Sequence, residues 1–110
     1  MIGGFIFTGM DSSTLAIRGI GPSLEQVGIT AFLGDPALEL RDANGTALVF
    51  NNDWQDDPSQ ATELIKHGLS PQDTHEAGVV AALLPGAYTV ILSDYNGEAG
   101  VGLVEIYQVK

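Results

Sequence analysis

The chain has 110 residues and a net charge of −10, with only four lysine and arginine residues. Because phosphate binding needs clustered basic side chains, this composition excludes nucleic acid as a partner and disfavours an anionic membrane surface. The absence of cysteine excludes disulfides and thiolate chemistry, and a hydrophobic fraction of 45% excludes general disorder.

Apolar and β-branched runs separated by glycine-rich turns predict strands in the first third of the chain. Residues 2–8 form the first predicted strand, and residues 14–19, which alternate apolar and other residues, form the second. Residues 21–24 are predicted to be a loop or short turn. Residues 29–33 are predicted to form a short strand.

A hairpin is predicted in the middle of the chain. The turn sequence Asp42-Ala43-Asn44-Gly45 lies between two alternating runs, residues 37–41 and 46–50. Asn-Gly between such runs is the strongest short-range hairpin signal, because both residues tolerate positive φ. We therefore expect two antiparallel strands here.

One helix is predicted, followed by the last strands. Residues 59–67 have an apolar face, with Ser59 as the expected N-cap and Gly68 as the stop. Strands are predicted at 76–84, 87–93 and 101–109, with Pro85-Gly86 as a turn between the first two. A polar loop carrying Trp54 precedes the helix.

These elements together predict an all-β fold. Seven or eight short strands with one brief helix are typical of an antiparallel β-sandwich or a jelly-roll-like domain. The length suits a single domain over residues 1–110, and no apolar run is long enough for insertion into a membrane.

Two acidic clusters are candidate Ca²⁺ sites, because calcium takes six to eight oxygen ligands. The first cluster is Asp53, Asp56 and Asp57 in the polar loop. Asp94, Asn96 and Glu98 form the second, but they lack the full twelve-residue calcium-loop pattern. Solvated turns with local hydrogen bonds are the favoured interpretation of both.

Glycan-related features are also present. Asn44-Gly45-Thr46 is an N-glycosylation sequon on the predicted turn, although plain turn chemistry is the favoured interpretation. Trp54 is a candidate for stacking on a carbohydrate ring, and the favoured alternative is a core tryptophan beneath the loop with its indole N–H hydrogen-bonded.

No catalytic group is predicted. His67 and His75 lack metal-ligand spacing, and no Gly-x-Ser-x-Gly sequence is present. Arg18 is expected to pair with Glu39 or Glu105 on a neighbouring strand. The chain is therefore predicted to bind or build rather than to catalyse.

Several segments in a fixed order resemble a known class of domain. They are Ile2-Gly3-Gly4-Phe5-Ile6, Ile17-Arg18-Gly19-Ile20-Gly21-Pro22-Ser23-Leu24, Asp35-Pro36-Ala37-Leu38-Glu39-Leu40-Arg41-Asp42, Asn52-Asp53-Trp54, Leu84-Pro85-Gly86-Ala87-Tyr88-Thr89 and Gly102-Leu103-Val104-Glu105-Ile106-Tyr107. The chain resembles the β-sandwich repeat domains of secreted or surface bacterial proteins, and is loosely similar to pre-peptidase C-terminal-type domains. The resemblance implies a non-catalytic extracellular or cell-surface module, often found beside tandem copies.

The resemblance also implies a mode of assembly. Such domains often have further β-prone sequence before the segment that matches Ile2-Gly3-Gly4-Phe5, and its absence here implies an open groove or edge that a neighbouring copy fills by strand addition. We expect copies of this chain, or tandem neighbours, to meet through the two terminal strands. The predicted anchors are Ile2, Phe5, Phe7, Leu103, Ile106 and Tyr107. A carbohydrate- or calcium-binding module of a larger secreted protein is the alternative.

Overall fold

A computed structural model describes residues 2–9 and 11–109, apart from the side chain of Phe7. Within these residues the chain forms seven strands and two helices. The strands are β1 (Ile2–Phe7), β2 (Ser13–Ile20), β3 (Pro36–Arg41), β4 (Ala47–Asn51), β5 (Ala77–Leu83), β6 (Gly86–Asp94) and β7 (Leu103–Gln108). A 3₁₀ helix spans Pro22–Val27, and helix α1 spans Pro58–Lys66.

The strands form two antiparallel sheets, which confirms the predicted all-β sandwich. One sheet has four strands in the order β1-β6-β3-β4, and the other has three in the order β5-β2-β7. Consecutive strands β5 and β6 belong to different sheets, so the chain passes from one sheet to the other at Leu84 and Pro85. Gly86, predicted to be part of this turn, is the first residue of β6.

The main core lies between the sheets. The two-residue period of each strand turns alternate side chains inward, and these side chains are apolar. From the four-stranded sheet they include Leu38, Leu40, Val90 and Leu92, and from the three-stranded sheet Leu15, Ile17, Val79 and Leu83. Burying each such side chain stabilises the fold by about 1.5–3 kcal/mol.

A second, smaller core covers the outer face of the three-stranded sheet. It is formed by Ala16 of β2, Trp54 of the polar loop and Leu64 of α1. Gly78 of β5 permits this contact, since a Cβ there would lie 2.8 Å from Leu64 Cδ1. The prediction of a core tryptophan is therefore confirmed, but the expectation that its indole N–H is hydrogen-bonded is wrong, because Trp54 Nε1 is buried without a partner among the described residues.

The predicted hairpin is confirmed in detail. β3 and β4 pair antiparallel, and the Asp42 carboxylate accepts hydrogen bonds from the N–H groups of Asn44 at 2.9 Å and Thr46 at 3.0 Å. Gly45 has a φ of 78°, the left-handed conformation that glycine adopts readily.

Three local predictions were wrong. Residues 29–33 contain only an isolated bridge between Phe32 and Val101. Residues 21–24, predicted to be a loop or short turn, instead begin a six-residue 3₁₀ helix. The N-cap of α1 is Asp57 rather than Ser59, because Pro58 occupies the first helical turn, where its missing N–H costs nothing.

Candidate functional site

The sheet edges are the surfaces on which the predicted function depends. An edge strand presents unpaired backbone N–H and C=O groups, which can pair with another chain. In the described residues the edges are β1 and β4 of one sheet and β5 and β7 of the other. These four edges differ in how far the fold protects them.

The β5 edge is covered by side chains. Gly78 N donates to Asn51 Oδ1 at 3.0 Å, and Val80 N donates to Gln60 Oε1 at 2.5 Å. Gln60 belongs to α1, so the helix that closes the second core also blocks this edge. Because these two donors have acceptors, an incoming strand would gain little here.

The β4 edge is distorted. The register between β3 and β4 shifts between Leu40 and Arg41, which introduces a bulge. Bulges increase the local twist and oppose the addition of another strand. Leu48 and Phe50 are nevertheless exposed on this five-residue strand.

The β7 edge carries charge and is partly occupied. Arg18 Nε donates to Glu105 Oε1 at 3.0 Å, directly across the β2–β7 ladder, which confirms one of the two predicted partners of Arg18. The guanidinium carbon of Arg18 lies 5.5 Å from the ring centroid of Tyr107, so this predicted anchor contacts its own chain. Leu103 and Ile106 remain 43% and 40% exposed.

The β1 edge lacks these protective features. Its sequence contains no charged residue and no proline, and its register with β6 runs unbroken from Ile2 to Phe7. Ile2 is 73% exposed and Ile6, which sequence reasoning did not single out, is 75% exposed. Alternation along the strand would have identified Ile6, since it lies on the same face as Ile2.

Phe5 points to the opposite face of β1. Its ring stacks on Tyr88 of β6, with centroids 5.4 Å apart and an interplanar angle of 22°. It also packs against the main core. Phe5 therefore fastens β1 to its own sheet. The predicted anchor Phe7 lies on β1, but its side chain is outside the described residues.

In the first acidic cluster, Asp57 has a structural role as the N-cap of α1. The Asp57 carboxylate accepts from the Ser59 hydroxyl and from the N–H groups of Ser59 and Gln60, and these hydrogen bonds lower its pKa. Asp56 is exposed beside it. The calcium site at Asp53, Asp56 and Asp57 stays a prediction.

The second acidic cluster forms a turn. Asp94 accepts from the N–H groups of Asp35 at 3.0 Å, Asn96 at 3.0 Å and Glu98 at 3.2 Å. Burial raises the pKa of Asp94, but these three hydrogen bonds outweigh it, so the pKa lies below its ordinary value. Across the described residues, no group of three or more histidine, cysteine, aspartate and glutamate side chains is arranged to hold a metal ion.

In the part of the chain that the structure describes, three polar side chains, one of which belongs to a residue that contacts this turn, have a buried oxygen atom without a partner. Asp35 Oδ1, Asn52 Oδ1 and Asp53 Oδ1 are buried without a hydrogen-bond partner. Burial, followed by the negative charge of Asp53, raises the pKa of Asp35. Sequence reasoning placed Asp53 in a solvated loop and missed its proximity to Asp35.

Glu76 is a fully buried carboxylate that sequence reasoning also missed. It accepts from Gly21 N and Ser23 N at 2.9 Å, from Ser23 Oγ at 2.5 Å and from Asp73 N at 3.2 Å. It therefore joins the start of the 3₁₀ helix to the segment preceding β5. These partners make Glu76 a structural residue.

The remaining candidates lie apart from one another. Asn44 is exposed on its turn, so the sequon is accessible. His67 Nε2 lies 3.8 Å from Glu63, and His75 Nδ1 lies 3.1 Å from Asp73. Trp54 is buried, so its ring is not available as a carbohydrate-stacking platform.

No protein-family model matches the chain, and no match was found among curated proteins. Neither helix in the described residues has the length and apolar character needed to cross a membrane.

Proposed function

We propose that this chain is a non-catalytic structural module of the cell exterior, which assembles with copies of itself by β-strand addition. The observation that carries the proposal is the β1 edge, an uncharged strand with an unbroken register and two exposed isoleucines. Such an edge favours pairing with another strand, because it presents backbone hydrogen-bonding groups together with apolar surface.

Strand addition at β1 makes two favourable contributions to the free energy of association. The outward backbone groups exchange water for protein partners, which contributes about 0.5–1.5 kcal/mol per hydrogen bond. Burying the exposed side chains of Ile2 and Ile6 contributes up to about 1.5–3 kcal/mol each. These gains oppose the loss of translational and rotational freedom on association.

The other parts of the proposal rest on sequence. The net charge of −10 suits a soluble surface outside the cell, and the resemblance to bacterial repeat domains supports an extracellular module beside further copies. The structural roles of Asp57, Asp94 and Glu76 support a non-catalytic function, because these acidic groups serve the fold.

A charge on the exposed face of β1 tests the proposal. We expect Ile6→Lys to abolish assembly while leaving the fold intact, because the ammonium group would have to lose its water when a second strand covers that face. Light scattering after size-exclusion chromatography measures the mass, and electron microscopy detects filaments.

Val27→Lys is the matched control. Val27 is 73% exposed, close to the 75% of Ile6, but lies in the 3₁₀ helix. Both substitutions change the net charge equally, so only the location differs. Equal assembly of the Ile6→Lys and Val27→Lys variants would overturn the proposal, as would a native chain that stays monomeric at its highest soluble concentration.

A further inference from the structure

We infer that β1 pairs antiparallel with β1 of a second copy, about a two-fold axis that passes beside Gly4. This inference rests on the proposed function and specifies the partner strand and the register. The pairing would join the two four-stranded sheets into one continuous sheet of eight strands, with β1 and its symmetry mate at the centre.

Charge and edge protection together select β1 as the partner of β1. Each copy carries a net charge of −10, so a contact between copies is favourable only where carboxylates are kept apart. No charged residue occurs between Ile2 and Phe7, whereas β7 carries Glu105 at its centre. The β4 and β5 edges are also uncharged, but a bulge distorts β4 and side chains block β5. Pairing β1 with itself therefore brings together the uncharged edges of two acidic molecules.

The side chains of β1 select the register. With Gly4 opposite Gly4, antiparallel pairing places Ile2 opposite Ile6 and Gly3 opposite Phe5. The two strongly exposed isoleucines then form cross-strand pairs on one face. On the other face each Phe5 lies opposite a glycine, which leaves room for the ring that stacks on Tyr88.

The register also aligns the core-facing side of one sheet with the core-facing side of the other. Residues opposite one another differ by an even number of positions, so the core-facing side of one sheet continues as the core-facing side of the other. An odd offset would join the core-facing side to the exposed side. The pairing is isologous and closes a dimer, in which β7 remains free in both copies.

Single cysteines test the register directly, because the native chain has none. Opposite residues of an antiparallel pair have Cα atoms about 4.5 or 5.5 Å apart, within the range of about 4.4–6.8 Å that a disulfide spans. Gly4 accepts a side chain, since a Cβ there would meet only Tyr88 O, at 3.5 Å. We expect Gly4→Cys to form a covalent dimer under mild oxidation, at least about tenfold faster than Val27→Cys.

Ile6→Cys is the control on the same strand. In this register its Cα lies four residues along the strand from its symmetry mate, or roughly 13 Å, which a disulfide cannot span. Ile6→Cys alone should therefore crosslink no faster than Val27→Cys. An equimolar mixture of Ile2→Cys and Ile6→Cys variants should form the mixed dimer.

The outcomes separate this inference from the proposed function. Rapid Gly4→Cys dimers with slow Ile6→Cys dimers support the two-fold pairing. If the native chain assembles but Gly4→Cys crosslinks no faster than Val27→Cys, or crosslinks to Ile106→Cys on β7 instead, the register is overturned and the proposed function stands. If the native chain is monomeric, both are overturned.

Discussion

At the residue scale, the buried carboxylate oxygens differ in whether the fold places hydrogen-bond donors beside them. Glu76 and Asp94 each accept several hydrogen bonds, so the cost of burying them is offset. Asp35 Oδ1 and Asp53 Oδ1 have no donor, and burial together with Asp53 raises the pKa of Asp35. Asp94 and Asp35, whose pKa values shift in opposite directions, therefore have opposite effects on the pH dependence of stability.

Asp35→Asn tests the unsatisfied site. The folded-state pKa of Asp35 lies above its ordinary value of 3.8, so its ionisation costs stability as the pH rises from 3.8 through the folded-state pKa. We expect the variant to be more stable than the native chain at pH 7 and to lose this advantage below pH 3.8. Urea unfolding midpoints across this range measure the difference.

Asp94→Asn provides a control of opposite sign. The folded-state pKa of Asp94 is lowered, so its stabilising contribution is present above 3.8 and lost as the pH falls through the folded-state pKa. This variant should be less stable than the native chain at pH 7, with a deficit that shrinks in acid. An Asp35→Asn advantage that did not change with pH would contradict the assignment.

At the scale of secondary-structure elements, close backbone packing determines how the chain leaves β2 and passes the segment before β3. The junction between β2 and the 3₁₀ helix passes so near the segment before β3 that a Cβ on Gly21 would lie 2.1 Å from Leu33 O. Gly21 N also donates to the buried Glu76 carboxylate. Absence of a side chain at this position is therefore what lets the chain turn beside β3.

Gly21→Ala should be strongly destabilising, because the clashing atom is a backbone oxygen that cannot rotate away. We expect a loss of about 1–3 kcal/mol in the free energy of unfolding, read from the urea midpoint at constant slope. Gly34→Ala is the matched control, since nothing lies within 4 Å of a Cβ there. Similar losses in both variants would refute the steric explanation.

At the scale of the whole molecule, net charge opposes the proposed association between copies, whereas edge geometry favours it. Two copies, each with a net charge of −10, repel one another at a distance, whereas the proposed contact at the uncharged β1 edge would be favourable at short range. The fold blocks the β5 edge with Asn51 and Gln60 and distorts the β4 edge with a bulge. In the proposed assembly, we therefore expect contact at the less protected edges.

Salt should strengthen this assembly. The screening length falls from about 30 Å at 0.01 M to about 3 Å at 1 M ionic strength, which removes the repulsion but leaves the apolar strand contact. We expect the assembled fraction in sedimentation velocity experiments to rise with added NaCl. Dissociation on adding NaCl would indicate that opposite charges hold the copies together.

Local patterns predicted most of the strands, the Asn44-Gly45 hairpin and the buried Trp54, and they named Glu105 as one of two expected partners of Arg18. They failed for residues 29–33, where an apolar run found no partner strand beyond the Phe32 bridge. They also did not identify Ile6 or the group around Asp35, because exposure and proximity depend on which strands become neighbours.

By itself the sequence determined the all-β class, the acidic surface and the absence of thiol chemistry, since these follow from composition and from a two-residue period along short segments. Only the tertiary structure decided that β5 and β6 belong to different sheets, that Asn51 and Gln60 block one edge, and that β1 lies at another. The physical reason is that strand pairing joins residues far apart in the chain. A local sequence pattern therefore cannot predict which strand becomes the edge of a sheet.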